Sequence, residues 1–196
     1  MLQRAKTPAV RTGEEAVEKL RPLRRAEYDA LIDLGHFEDE KIELLYGQMV
    51  LMSPQGDDHM QTVTRLNMIL APALVGRATV QIHGPFIAAS ESEPEPDVAV
   101  LHADALTQKG KASQAHLIIE VAASSLRKDL AKGNLYAASG VPEYWIVDLE
   151  HNLVDVFTDP IDGRYTRQLP FDAGATLRMK AFSDLAIRVS DILPPA

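Results

Sequence analysis

The sequence contains no cysteine among its 196 residues. This absence excludes disulfide bonds, a thiolate nucleophile, a cysteine-ligated structural zinc site and an iron–sulfur cluster. Long apolar runs are lacking as well, and stretches such as LIIEV and YWIVDL are far too short to cross a bilayer. The N-terminal segment has no apolar core of the kind found in signal peptides, so we expect a cytoplasmic protein without a membrane partner.

The sequence has fewer basic than acidic residues. The chain carries 20 Lys and Arg against 28 Asp and Glu, which gives a formal net charge of −8. Such a chain lacks the general basic field that holds nucleic acid nonspecifically. A nucleic-acid partner would therefore have to meet a local basic patch or a bound metal, and we expect its binding to be weak and strongly dependent on salt.

The distribution of polar and apolar segments indicates one domain with a short extension. Residues 1–22 are polar and mixed in charge, which predicts a flexible N-terminal extension with a short helix at Glu14–Leu20. Residues 23–196 are predicted to form a single domain of ordinary globular composition, since 46% of the chain is hydrophobic and 24% is charged.

Hydrophobic periodicity divides this domain into helices and strands. Helices are predicted over Arg25–Leu34, from the end of the Met52–Asp58 loop to about Leu74, and over Leu126–Ser139, the last capped by Ser124 or Ser125 and ended by Gly140. Strands are predicted over Ile42–Met52 (two, across a turn at Tyr46-Gly47), Thr79–Ala89, Asp97–Leu101, His116–Val121, Tyr144–Asp148, Val154–Phe157 and Tyr165–Gln168, with a last short element over Leu185–Leu193. This order favours an α/β fold in which a mixed central β-sheet is flanked by helices.

Two carboxylates stand out by their context. Asp97 opens a strand directly after a proline-bearing acidic loop, and Glu120 lies near the end of an otherwise apolar strand. A carboxylate inside such a run is costly unless it is paired or binds a cation. If the two strands are neighbours, both side chains can point into one cleft and suit Mg²⁺ or Mn²⁺. The alternative is that Asp97 caps a turn and Glu120 pairs with a core Lys or Arg.

The helix after Glu120 offers further polar groups. Asp129, Lys132 and Tyr136 share one helical face, and an ammonium beside two carboxylates can orient a water or stabilise charge on a phosphate. The alternative is a solvated ion pair between Asp129 and Lys132. A separate apolar stripe is predicted from Leu126, Leu130 and Ala137.

Other polar residues are weaker candidates. Glu43 either holds a metal-bound water or lies on a strand surface, and His59 is expected to face the cleft from the start of a helix. No metal role is assigned to His36, His83, His102, His116 or His151, and Tyr144 and Trp145 are predicted to be core residues. Four basic residues are expected either to contact phosphates or simply to be solvated: Lys109, Lys111, Arg127 and Lys128.

These motifs, in this order, resemble the Uma-type restriction-endonuclease family, which belongs to the PD-(D/E)XK nuclease superfamily. The resemblance covers about residues 25 to 190. It rests on ELLYGQMV from Glu43 with MSP from Met52 and His59, PDVAV from Pro96, EVAASSL from Glu120 with Asp129-x-x-Lys132, Tyr136-Ala137, and GVPEYWIVD from Gly140.

The resemblance implies a restriction-endonuclease-like fold in which Asp97 and Glu120 are catalytic metal ligands. It also implies that the main-chain carbonyl of Val121 is a further ligand. The superfamily lysine usually follows the glutamate by two residues, but Ala122 stands there. The basic group is then expected to come from the following helix, as Lys132, with Asp129 and Tyr136 in support.

We therefore expect a Mg²⁺- or Mn²⁺-dependent endonuclease that hydrolyses phosphodiester bonds of nucleic acid, most favourably DNA. Cleavage of both strands by one small site per chain would favour a homodimer. The alternative is a catalytically silent protein of the same fold that binds a partner protein or a second copy of itself.

Overall fold

The computed structural model of the protein describes residues 21–107 and 109–195. The predicted short helix at Glu14–Leu20 and most of the predicted extension lie outside these residues. The helices are α1 (Arg25–Asp33), α2 (Asp57–Ala73), α3 (Leu126–Ala138) and α4 (Val189–Ile192). The strands are β1 (Ile42–Leu45), β2 (Gln48–Leu51), β3 (Thr79–Ile82), β4 (Val98–Leu101), β5 (Ala115–Ala122), β6 (Glu143–Asp148), β7 (Leu153–Ile161), β8 (Arg164–Asp172), β9 (Thr176–Arg178) and β10 (Ala186–Arg188).

The centre of the fold is a six-stranded mixed sheet in the order β3-β4-β5-β6-β7-β8. Only β5 and β6 run parallel, because α3 connects them as a crossover, while the other neighbours are antiparallel. The continuous apolar runs of β5 and β6 are buried on both faces. The predicted mixed central sheet flanked by helices is confirmed.

Each face of the sheet carries its own apolar layer. Helix α2 packs Val63, Leu66 and Leu70 against one face, together with residues of β9, β10 and α4. On the other face, Tyr136 of α3 packs with Tyr144 and other residues of the sheet. The sheet edge where β5 ends therefore receives side chains from both α2 and α3. None of the helices in the described ranges combines the length and apolar character needed to cross a bilayer.

The β1–β2 hairpin stands outside the main sheet. Its two-residue turn places Tyr46 and Gly47 at φ 51° and 76°, the left-handed conformation that such turns require. Gly47 is also needed for space, because a Cβ there would lie 2.3 Å from the Cβ of Pro22. Backbone hydrogen bonds join Leu44 to Glu93, so the hairpin is tied to the loop that precedes β4.

Helix α1 locks the hairpin in place through one buried hydrogen bond. The hydroxyl of Tyr28 donates to the carbonyl of Ile42 over 3.0 Å. We expect Tyr28→Phe to lower the free energy of unfolding by about 1 kcal/mol, because it leaves a buried carbonyl without its donor. Urea unfolding would measure this. Tyr46→Phe is the matched control, since the Tyr46 hydroxyl bonds no group of the described ranges, and an equal loss in both variants would contradict the assignment.

Two sequence predictions about this architecture are wrong. The strand predicted over Thr79–Ala89 ends at Ile82. There His83 adopts φ 48°, and Pro85 cannot donate a ladder hydrogen bond. The apolar stripe predicted on α3 is wrong at Leu130, which is 44% exposed, whereas Ala137 is buried and Leu126 packs against the core. The helix buries Asp129, Lys132 and Tyr136 together with apolar residues, and these three polar side chains help to build the site.

Candidate active site

Asp97 and Glu120 lie opposite each other on neighbouring strands. The antiparallel register pairs Val98 with Ile119, so the next step of the register pairs Asp97 with Glu120. Directly opposed residues project from the same face of a sheet, with Cβ atoms about 5 Å apart. The amide of Val121 also donates to Asp97 Oδ2 over 2.7 Å. Both carboxylates line one cleft of about 70 Å³ at the end of β5.

The Asp97 carboxylate is held by side chains from two further elements. His59 Nε2, from the first turn of α2, lies 3.0 Å from Oδ2. His83 Nε2 and Gln55 Nε2 each lie 3.4 Å from Oδ1. Burial alone would raise the pKa of Asp97, but the contacts with His59 and His83 and the Val121 amide hold it well below its usual range. Asp97 is therefore a fixed, charged carboxylate rather than a turn cap.

Glu120 uses one carboxylate oxygen for protein contacts and presents the other to the cleft. Its Oε1 accepts hydrogen bonds from Lys132 Nζ over 3.0 Å and from the Tyr136 hydroxyl over 2.7 Å. Its Oε2 has no hydrogen-bond partner within the described ranges, and Glu120 lines the cleft although the residue is only 3% exposed. Burial among other carboxylates raises the pKa of Glu120 to about 8, although Lys132 opposes the shift. Glu120 therefore contacts a buried lysine and also lines the cleft. The two alternatives predicted for this residue are both observed.

Glu43 joins the cluster from beneath the cleft. Its side chain is 0% exposed, so a place on the strand surface is wrong. Glu43 Oε2 lies 2.9 Å from Lys132 Nζ, and Oε1 lies 2.5 Å from Lys128 Nζ. Burial alone would lower the pKa of Lys132, but Glu120 and Glu43 together raise it well above its usual range. Lys132 is therefore a fixed ammonium shared by two buried glutamates.

Asp129 and Ser125 complete the wall formed by α3. Ser125 is at the N-cap position of α3, as predicted, but its hydroxyl donates to Asp129 Oδ2 over 2.5 Å and not to a backbone amide of the helix. Burial raises the pKa of Asp129 to about 6, although Ser125 and Lys132 oppose the shift. Asp129 and Lys132 are both buried and form no direct ion pair, so a solvated pair between them is wrong.

Negative charge exceeds positive charge around the cleft. Five carboxylates line it or lie directly beneath it, namely Glu43, Glu95, Asp97, Glu120 and Asp129. Among the residues that the structure describes, the lining contains only two ammonium groups, Lys128 and Lys132, and no arginine. In the described ranges no three or more His, Asp or Glu side chains form a ready-made metal cluster. Two opposed carboxylates, one with an open oxygen, in a cleft with excess negative charge still fit a hydrated divalent cation.

The family to which this chain belongs follows from a comparison with family models. The model described as "Uma2: Putative restriction endonuclease" matches residues 25–190, which is most of the chain. The chain belongs to the Uma2 family. The resemblance noted from the motifs is confirmed, and with it a nuclease-like function.

A solved structure shows the same fold as this Uma2 protein. It is described as the crystal structure of a putative nuclease belonging to DUF820 from Anabaena variabilis ATCC 29413. The two chains share 17% sequence identity with a TM-score of 0.62, and the match covers 87% of this chain and 97% of the other. No curated protein matches the chain.

Most of the predicted basic group lies elsewhere in this Uma2 protein. Lys109 pairs with Asp33 of α1, and Lys111 pairs with Asp29 of α1 and with Glu93 of the loop before β4. Arg127 is exposed but does not line the cleft, whereas Lys128 does. The four residues therefore do not form one patch at the mouth of the cleft.

Sequence reasoning missed two residues of the cluster. Gln55 and His83 contact Asp97 but had no assigned role. The register of β3 and β4 would have revealed the role of His83. Ile82 pairs with Val98, so His83 lies opposite Asp97. That pairing joins segments separated by a loop of 15 residues, from His83 to Asp97, and local periodicity carries no information about it.

Proposed function

We propose that this protein is a metal-dependent endonuclease that hydrolyses phosphodiester bonds in DNA. The observation that carries the proposal is the cross-strand placement of Asp97 and Glu120 at a cleft with more carboxylates than cations. Membership in the Uma2 family supports the nuclease class. The substrate, the metal and the residue roles are the parts that we propose.

The donor set suits Mg²⁺ or Mn²⁺. Asp97, Glu120 through its open oxygen, and the main-chain carbonyl of Val121 would hold the ion, because hard oxygen ligands are those that these ions prefer. When bound, the ion supplies Lewis acidity and neutralises charge on the scissile phosphate. It would also relieve the mutual repulsion of the buried carboxylates.

Side chains around the cleft would orient the phosphate, the attacking water and the two carboxylates. Lys132 would donate to a phosphate oxygen or orient the attacking water, and Glu43 fixes its ammonium from the far side. Tyr136 and His59 hold Glu120 and Asp97 in fixed orientations. Water adds to phosphorus, the bond from phosphorus to one bridging oxygen breaks, and the leaving oxygen takes up a proton.

Nicking of supercoiled plasmid tests this proposal. With Mg²⁺ or Mn²⁺ the wild-type protein should convert supercoiled DNA to the nicked form, and EDTA should stop the reaction. Asp97→Asn and Glu120→Ala should each lower the rate by about 100-fold or more, because each removes a charged ligand that stabilises the transition state.

Glu143→Gln is the matched control for this assay. Glu143 is also a buried glutamate of the sheet, but it bonds Trp145 Nε1 and the Lys180 amide away from the cleft. This variant should nick at the wild-type rate. Equal nicking by all variants would indicate a contaminating nuclease, and nicking by none would favour the catalytically silent alternative. Size-exclusion chromatography would then test self-association and the predicted homodimer.

A further inference from the structure

A second groove adjoins the candidate active site on the other side of its lysines. It has a volume of about 310 Å³ and lies between the β1–β2 hairpin and α3. Lys128 and Lys132 line both this groove and the cleft, so their side chains form a shared wall. A group bound in the groove would therefore be next to a phosphate bound in the cleft.

The groove differs chemically from the cleft. Leu45, Val50 and Ala131 give it an apolar floor, and Tyr46 and Gln48 complete the hairpin side. Its volume is at the lower end of the range, from about 300 Å³, found for small-molecule pockets. An apolar surface with an aromatic ring, one side-chain amide and adjoining cations matches a nucleobase that is still attached to its phosphate.

Tyr46 is exposed to solvent beside the groove. Its side chain is on the hairpin turn, and the residue is 55% exposed. The turn itself is held firmly, because the Tyr46 amide donates to Ser92 Oγ over 2.9 Å and the Gly47 amide donates to the Glu91 carbonyl over 2.6 Å. Because the backbone that carries the ring is already fixed, stacking of a base on Tyr46 costs no further ordering of the turn.

The charge around the site favours a single strand over a duplex. A duplex is bound chiefly through many phosphates, but this protein has a net charge of −8, and only two lysines of its described ranges line the cleft. An unpaired strand exposes the faces of its bases, so stacking supplies affinity where cations are few.

We propose that this groove binds a nucleobase of single-stranded DNA, the one that adjoins the phosphate in the cleft. The inference rests on the proposed nuclease function and narrows its substrate to unpaired strands, such as single-stranded DNA or an unpaired region of a duplex. Gln48 lies in the groove where it can contact the edge of the base, and Lys128 lies where it can contact the adjoining phosphate.

Binding of fluorescent oligonucleotides in EDTA tests the groove without any hydrolysis. The wild-type protein should bind a 5′-labelled single-stranded oligodeoxynucleotide at least about 5-fold more tightly than the same sequence as a duplex. Tyr46→Ala should weaken single-strand binding by about 5- to 150-fold, because stacking on one aromatic ring contributes about 1–3 kcal/mol. Tyr46→Phe and Tyr46→Trp should retain it.

Met49→Ala is the matched control. Met49 is also exposed and on the same hairpin, but it does not line the groove because neighbouring strand residues point to opposite faces. This variant should bind like the wild type. Ala131→Leu should also weaken single-strand binding, because the larger side chain fills the groove. Since Tyr46 is unchanged in this variant, the result tests the groove independently of the tyrosine.

Three outcomes would overturn the inference: no single-strand binding by the wild type, equal affinity for single strand and duplex, or unchanged binding by Tyr46→Ala. The plasmid assay distinguishes failure of this inference from failure of the nuclease proposal. If the protein nicks plasmid but shows no preference for single strands, the groove inference is wrong and the nuclease proposal stands. If Tyr46→Ala and Ala131→Leu instead convert a dimer to a monomer, the groove holds a second copy of the chain and the inference is wrong.

Discussion

Replacing Lys132 with methionine is expected to destabilise the metal-free protein by about 3–5 kcal/mol. The Lys132 side chain is only 5% exposed and lies within 3.0 Å of both Glu43 and Glu120. Removing one partner of a buried ion pair leaves the remaining charge without compensation, and here two carboxylates lose the same ammonium. Urea unfolding in EDTA at a pH above the Glu120 pKa of about 8, where this carboxylate is charged, would measure the loss.

Two further variants make this prediction specific. Lys180→Met removes an exposed ion pair with Asp159 and should cost less than about 1 kcal/mol, since solvent screens such pairs. The double variant Glu43→Gln, Lys132→Met should be more stable than the sum of its single variants predicts, because the residues are in contact. A loss below about 1 kcal/mol in Lys132→Met would show that the ammonium does not hold the two glutamates.

The helices and the central strands were predictable because their signals are local. The apolar run of β5 and the Asp162-Gly163 turn between β7 and β8 carry the features of a buried strand and a two-residue hairpin turn. The α3 stripe failed for a physical reason. Leu130 is two residues before Lys132 and therefore on the opposite side of the helix, so the burial of Lys132 against Glu43 and Glu120 leaves Leu130 in solvent.

The site was only partly predictable, because its residues converge through long-range pairing. Asp97 and Glu120 each stood out in their own strand, and their meeting depends on the β4–β5 register. The burial of Glu43 depends on how the hairpin docks against α3, which no local pattern encodes. Gln55 enters from a loop and has no distinguishing neighbourhood in the sequence.

Glu120→Gln is expected to abolish nicking and yet stabilise the metal-free protein at alkaline pH. Burial raises the pKa of Glu120 from 4.5 to about 8, so the folded state holds this proton more tightly than the unfolded state. The stability contributed by the protonated group is greatest below pH 4.5 and is lost as the pH rises through about 8. Glutamine does not titrate, so the variant avoids this loss.

The advantage of the Glu120→Gln variant should therefore grow with pH. Between about pH 5 and about pH 9, its free energy of unfolding relative to the wild type should rise by a few kcal/mol. Urea unfolding in EDTA across this range would measure it, with Glu38→Gln, at an exposed position, as the control that shows no trend.

Adding a divalent cation tests whether Glu120 is a metal ligand or only a buried carboxylate with a raised pKa. If Glu120 is a ligand, Mn²⁺ at a few millimolar should restore much of the stability that the wild type loses at alkaline pH, because an ion that binds only the folded state stabilises it by mass action. The Glu120→Gln variant should gain far less from the same addition. Equal stabilisation of both proteins by Mn²⁺ would place the cation elsewhere. An absence of any pH trend would mean that Glu120 is charged at neutral pH even without metal.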